Sequence, residues 1–201
     1  MAAKRASPRC SWPPPPPPRT PHAYITPPPR PLFCRWTLGA VSDQNGSREA
    51  ALVQLDSAPF ATMSAVVFAS ERNLGNSTGR RLFAASTDGG ASFSREGTSP
   101  LPDVVTGNWT GCVAGLARAG GLLAFTAPAA QGVRGNLSVW ASGDAGASWA
   151  GPALSLWPGP AAYSDALRIN DTHLGVVFEG GESEFAGGIL FSAVPLSALS
   201  A

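Results

Sequence analysis

The chain has 201 residues, a formal net charge of +1 and only 13% charged side chains. That balance offers no electrostatic footprint for nucleic acid or for an acidic membrane surface, and no apolar run reaches the roughly 18 residues of a membrane span. The 23 glycines and 20 prolines suit many short strands joined by tight turns.

Residues 1–35 hold 12 of the 20 prolines, including the run Pro13 to Pro18. Such a segment adopts polyproline II, buries nothing and is expected to be disordered, outside a folded domain that spans 36–201. A ligand for a proline-binding domain and a translation of non-coding DNA are the other readings of this head. Lys4 and Arg5 are followed by prolines rather than an apolar stretch, which is not a signal-peptide pattern. Cys10, Cys34 and Cys112 have no metal-type spacing, and an odd number cannot all pair within the chain. No cofactor or metal is expected. Of six asparagines, five open an Asn-x-Ser/Thr acceptor: Asn45, Asn76, Asn108, Asn136 and Asn170. With Ser and Thr at about one residue in six, chance gives roughly one, so a lysosomal or secretory route is expected.

From Trp36 onward short apolar runs alternate with Gly, Asn and Asp clusters. The first cycle reads as strands over 49–55, 65–70 and 81–86, the second over 113–117, 121–127 and 137–142, and a last one over 162–169, 172–178 and 188–195. The first two cycles end in near-copies of one another, 56 residues apart: Ser86-Thr87-Asp88-Gly89-Gly90-Ala91-Ser92-Phe93 and Ser142-Gly143-Asp144-Ala145-Gly146-Ala147-Ser148-Trp149. The physics of Ser-x-Asp-x-Gly-x-Ser-aromatic is local: the carboxylate accepts turn N–H groups, the glycine supplies a positive φ, and the aromatic packs back between sheets. Four-stranded units repeating at roughly 50 residues are the signature of a propeller.

These two segments resemble the Asp box, or bacterial neuraminidase repeat, of the sialidases (exo-α-neuraminidases). A second resemblance lies in Trp157-Pro158-Gly159-Pro160-Ala161-Ala162-Tyr163-Ser164-Asp165, which is similar to the last-blade signature of that family in the wording of animal lysosomal sialidases. Sialidases are six-bladed propellers, so the resemblance implies an all-β fold and an incomplete six-bladed β-propeller, about three C-terminal blades. In the structural box it covers Ser86, Asp88, Gly90, Phe93, Ser142, Asp144, Gly146 and Trp149.

The cycles also align on each other. Glu49, Cys112 and Tyr163 open the first strands, and Arg72, Arg134 and Glu179 follow them by 23, 22 and 16 residues, at the ends of the second strands. Matching places on successive blades face one axis, so these side chains are expected to converge on one mouth.

The resemblance supplies roles. Tyr163 is the nucleophile and Glu49 the base that pairs with it; Arg134 and Arg72 clamp the sialic acid carboxylate; Glu179 steadies a further arginine. Arg80 or Arg81 could stand in place of Arg72, and Glu49 could equally be a surface residue on an edge strand. The chemistry requires such types. The anomeric carbon carries a carboxylate that repels an anionic nucleophile, whereas a phenol is neutral but ionises only near pH ~10, so it needs an adjacent base.

The implied activity is hydrolysis of terminal sialic acids from glycoproteins, oligosaccharides or gangliosides, with retention. The family's Arg-Ile-Pro motif and acid/base aspartate are not found in this sequence, so the chain alone is expected to be inactive. The competing reading is a non-catalytic sialic acid-binding or purely structural Asp-box propeller fragment.

Overall fold

The computed structural model describes residues 38–55, 66–74, 78–106 and 109–199. The chain divides into two units, Met1–Leu38 and Gly39–Ala201, and the described strands all lie in the second. The proline-rich head at 1–35, with Cys10 and Cys34, and the acceptors Asn76 and Asn108 lie outside the described residues.

Among the described residues twelve strands and two short 3-10 turns succeed one another, with no α-helix. They are β1 (Ser47–Leu55), β2 (Val66–Asn73), β3 (Arg80–Ser86), β4 (Arg95–Pro102), β5 (Val105–Thr106), β6 (Trp109–Thr110), β7 (Gly115–Ala119), β8 (Leu122–Pro128), β9 (Gly135–Ser142), β10 (Leu154–Arg168), β11 (His173–Gly180) and β12 (Ile189–Pro195). One sheet has the order β1-β2-β3-β4, a second β12-β11-β10-β9-β8-β7, and β5 pairs with β6.

The six-stranded sheet is two sheets sharing one strand. The first half of β10 pairs with β9, ending at Pro160 opposite Gly135. Its second half pairs with β11, from Ala161 opposite Gly180 to Arg168 opposite Leu174. Three successive antiparallel sheets result, which is the all-β, incomplete propeller expected from the repeats.

Two of the expected strand starts are displaced. Tyr163 lies inside the 15-residue β10 rather than at a strand start, because the strand leaving one sheet runs straight into the next. Cys112 precedes β7 by three residues.

Packing explains why β8 reads Leu-Leu-Ala-Phe-Thr-Ala-Pro without polar alternation: the middle sheet is covered on both faces. Leu123, Phe125 and Ala127 join Leu55, Leu101 and Trp140 in a cluster against the first sheet. Ala124, with Leu137 and Val139 of β9, joins Leu174, Val176 and Phe178 of β11 on the other side. With period two, a strand buried on both faces shows a continuous apolar run. Phe125 is fully buried, and truncating it to Ala would cost about 3–5 kcal/mol. Where β7 meets β10 only glycine fits: a Cβ on Gly115 would lie 2.7 Å from the Ala166 nitrogen and 2.5 Å from the Thr126 hydroxyl.

The two repeated turns, which join β3 to β4 and β9 to β10, are near-identical. Asp88 accepts the Ser92 N–H at 2.9 Å and its hydroxyl at 2.6 Å; Asp144 accepts the same groups of Ser148 at 2.8 and 2.6 Å. Ser86 and Ser142 each accept the N–H of the glycine four residues on, Gly90 and Gly146, both at φ 85°. Trp149 packs edge-on to Phe125, centroids 6.2 Å apart. Phe93, its counterpart, is half-buried.

Candidate active site

At the opposite ends of β3 and β9 from those turns, where the two strands begin, the sheets surround a cavity of about 1150 Å³, above the roughly 300–1000 Å³ typical of a small-molecule pocket. Glu49, Arg72, Arg134 and Tyr163 all line it, together with Pro160, Val133 and Phe185.

Two of these residues are aimed by irregularities in the strand pairing. The register of β1 on β2 slips between Arg48 and Ala51, and Glu49 sits in that slip at φ 45°. A left-handed non-glycine residue costs about 1–2 kcal/mol, and a bulge turns its side chain away from the pleat. The register of β10 on β11 slips between Ala161 and Ser164, which places Tyr163 in a second bulge. Next to it the buried Ser164 fastens the strand: its hydroxyl donates to the Thr126 carbonyl at 2.9 Å and accepts the Gly115 N–H at 3.3 Å.

Arg72, at the end of β2, ties the site together. It donates to the Glu49 carboxylate and, through Nε, to the Thr110 carbonyl at 3.1 Å. The Tyr163 hydroxyl also acts on its guanidinium electrostatically. Burial by itself would pull its guanidinium down, but the contacts with Glu49 and Tyr163 outweigh that and hold it above its ordinary value. Arg72 therefore pairs with Glu49 and shares the cavity with Tyr163.

The other expected positions fall in different places. Arg134 lines the cavity from the loop before β9, six residues past the end of β8, and not from a strand end as the cycle alignment implied; the β8–β9 and β2–β3 connections are equally long, but Arg134 closes its loop whereas Arg72 lies within β2. Glu179 does not line the cavity. Its carboxylate accepts the Tyr163 backbone N–H at 3.4 Å, a contact to the main chain rather than to an arginine.

Of the alternatives to Arg72, Arg81 is fully buried. It pairs with Asp103 at 3.2 Å and donates to the Ser70 hydroxyl and the Cys112 carbonyl at 2.9 and 2.8 Å. Burial pushes the Arg81 guanidinium down and the Asp103 carboxyl up, each opposed by its partner. Arg80 is exposed, and its side chain bonds the Pro100 carbonyl. Cys112 is buried, and its thiol is pushed up to about 12 by desolvation, so it is not a nucleophile at neutral pH. No cluster of His, Cys, Asp or Glu among the described residues could hold a metal ion.

Sequence reasoning missed Phe185. It sits on a 3-10 turn, Phe185–Gly187, between β11 and β12, where no periodicity marks it; its ring lies 5.5 Å from the Arg134 guanidinium carbon, and Tyr163's lies 5.1 Å away.

No family model matches the chain, and no curated protein does. Solved structures do. The Hadza microbial sialidase Hz136 superposes with a TM-score of 0.51 at 22% identity over 67% of this chain and 26% of its own. The NanB sialidase of Streptococcus pneumoniae gives 0.51 at 17% identity over 67% of this chain and 22% of its own. A protein of unknown function from Dyadobacter fermentans gives 0.50 at 16% identity, covering 77% of this chain and 40% of its own. The chain spans about a quarter of the length of the two sialidases. Its strand architecture is that of part of a sialidase β-propeller.

Proposed function

We propose that this chain carries the nucleophile side of an exo-α-sialidase site, acting on terminal sialic acids of glycoproteins, oligosaccharides or gangliosides with retention of configuration. The observation that carries the reading is the meeting of Tyr163, Glu49, Arg72 and Arg134 on one cavity. Arg134 and Arg72 bind the substrate carboxylate; guanidinium forks match a planar carboxylate, and charged hydrogen bonds contribute about 1.5–3 kcal/mol each. The phenol oxygen of Tyr163 attacks the anomeric carbon as the glycosidic C–O bond breaks; the phenol proton passes to Glu49, and the departing aglycone oxygen takes a proton from solvent. Water then cleaves the tyrosyl intermediate. Arg72, paired with Glu49 and lining the cavity beside Tyr163, favours the charge that develops on the phenol oxygen. The Asp-box turns are structural and stand at the far ends of the sheets.

A second reading, binding of the sugar acid without turnover, is favoured by one observation: among the described residues no aspartate lines the cavity to act as acid/base. A fluorogenic sialoside and a titration with free sialic acid separate the two. Hydrolysis that Tyr163→Phe abolishes while binding persists supports the enzyme. Binding without hydrolysis supports the second reading, and turnover unchanged by Tyr163→Phe removes the nucleophile role. The compartment we propose is lysosomal or secretory; the acceptors Asn45 and Asn170 are exposed.

A further inference from the structure

Arg134 is held differently from Arg72 and Arg81. Arg72 and Arg81 each pair with a carboxylate. Among the described residues no carboxylate pairs with Arg134, and its hydrogen bond, to the Gly111 carbonyl, is long at 3.4 Å. Its guanidinium carbon lies instead over two rings, 5.1 Å from the Tyr163 centroid and 5.5 Å from that of Phe185. Both rings therefore meet the one guanidinium.

The loop that brings Phe185 there is tightly specified. The Gly181 N–H donates to the Pro160 carbonyl at 3.2 Å, three residues before Tyr163, and the Gly180 N–H to the Gly188 carbonyl at 3.0 Å. A Cβ on Gly181 would lie 2.5 Å from the Glu184 carbonyl oxygen and 3.0 Å from the Gly187 Cα. One anchor thus fixes the turn of Phe185 against the strand of Tyr163.

We infer that Phe185 is a positioning residue, the second ring of a clamp that orients Arg134 toward a ligand carboxylate; this rests on the proposed binding of a carboxylate in the cavity. The physical reason for rings is that they hold a cation without consuming its N–H donors or cancelling its charge. A carboxylate in the same place would do both. Phe185 is 38% exposed and belongs to neither core cluster, so replacing it leaves the fold intact.

The test uses the full chain, with Phe185→Leu and Phe185→Tyr, and N-acetylneuraminic acid and its methyl ester as probes. The Nε–H proton signal of Arg134, assigned by its loss in Arg134→Lys, reports the clamp without any ligand. Phe185→Leu is expected to shift that signal, to weaken binding of the acid about fivefold more than that of the ester, and to leave Tm unchanged; Phe185→Tyr restores the parent values. An unmoved signal, or an acid-to-ester ratio the same in Phe185→Leu as in a parent that prefers the acid, overturns the clamp. Should the parent bind acid and ester alike, the carboxylate-binding reading fails and the signal alone decides: a shift in Phe185→Leu sustains the clamp, and no shift overturns it.

Discussion

The Glu179 carboxylate accepts the Tyr163 backbone N–H at 3.4 Å, at the bulge where β10 slips register on β11. A bulge leaves a main-chain group outside the ladder, and here a side chain from the neighbouring strand takes it. Glu179→Ala is expected to destabilise by about 1 kcal/mol and to lower ligand affinity by loosening Tyr163. Glu179→Gln, whose amide oxygen accepts the same bond, should recover most of both. Urea unfolding and sialic acid titration measure the two effects, and equal behaviour of Ala and Gln would refute the role.

The Arg81–Asp103 pair, from β3 and the residue just past β4, ties the first sheet to Cys112 ahead of β7. Asp103 accepts the N–H groups of Asn73 and Cys112 at 2.9 and 3.0 Å as well as Arg81. Asp103→Ala would leave a fully buried guanidinium and two buried N–H groups unmatched, an expected loss of about 3–5 kcal/mol. The double variant Arg81→Met with Asp103→Leu should lose less than the two single changes combined. Denaturant unfolding of all four proteins gives the coupling directly.

The repeated turns make a pH prediction. Hydrogen bonds from Ser92 hold the Asp88 carboxyl down at about 2, and those from Ser148 lower Asp144. A carboxyl depressed in the folded state contributes stability above its unfolded value, and the contribution is lost as pH falls through the folded one. Tm should therefore fall between pH 3.8 and about 2. The combined variant Ser92→Ala, Ser148→Ala should start lower at neutral pH and fall less over that window. An unaltered slope would show that these turns do not titrate with folding.

Expression through a secretory route should place glycans on Asn45 and Asn170, both exposed. Glycosidase treatment should then reduce the mass, and Asn170→Gln should remove one step of that shift. A secreted chain without any shift would count against the lysosomal or secretory compartment.

What is legible in the amino-acid sequence is what is local or periodic. The two turns repeat their hydrogen-bonding residues at fixed spacing, so Asp88 and Asp144 announce sheet ends by themselves. The cycle alignment assigns Arg134 to the right end of its sheet but the wrong element, because the point where a strand gives way to its loop leaves no periodic trace. Tyr163 reads as a strand start because Pro158 and Pro160 look like a break; β10 accommodates them where its pairing to β9 is already irregular. The burial of Arg81 is hidden for another reason: beside Arg80 in sequence, only the opposite facing of consecutive strand residues separates the two, one exposed and one enclosed. Phe185 gives no signal at all.

The middle sheet is sandwiched, with a core cluster on each face, while β1 and β12 each end a sheet order. Cooperative loss of structure should therefore begin by fraying from the outer strands inward. Amide hydrogens of β8 and β9 would exchange with deuterated solvent last, through opening of the whole unit, and those of β1 and β12 first.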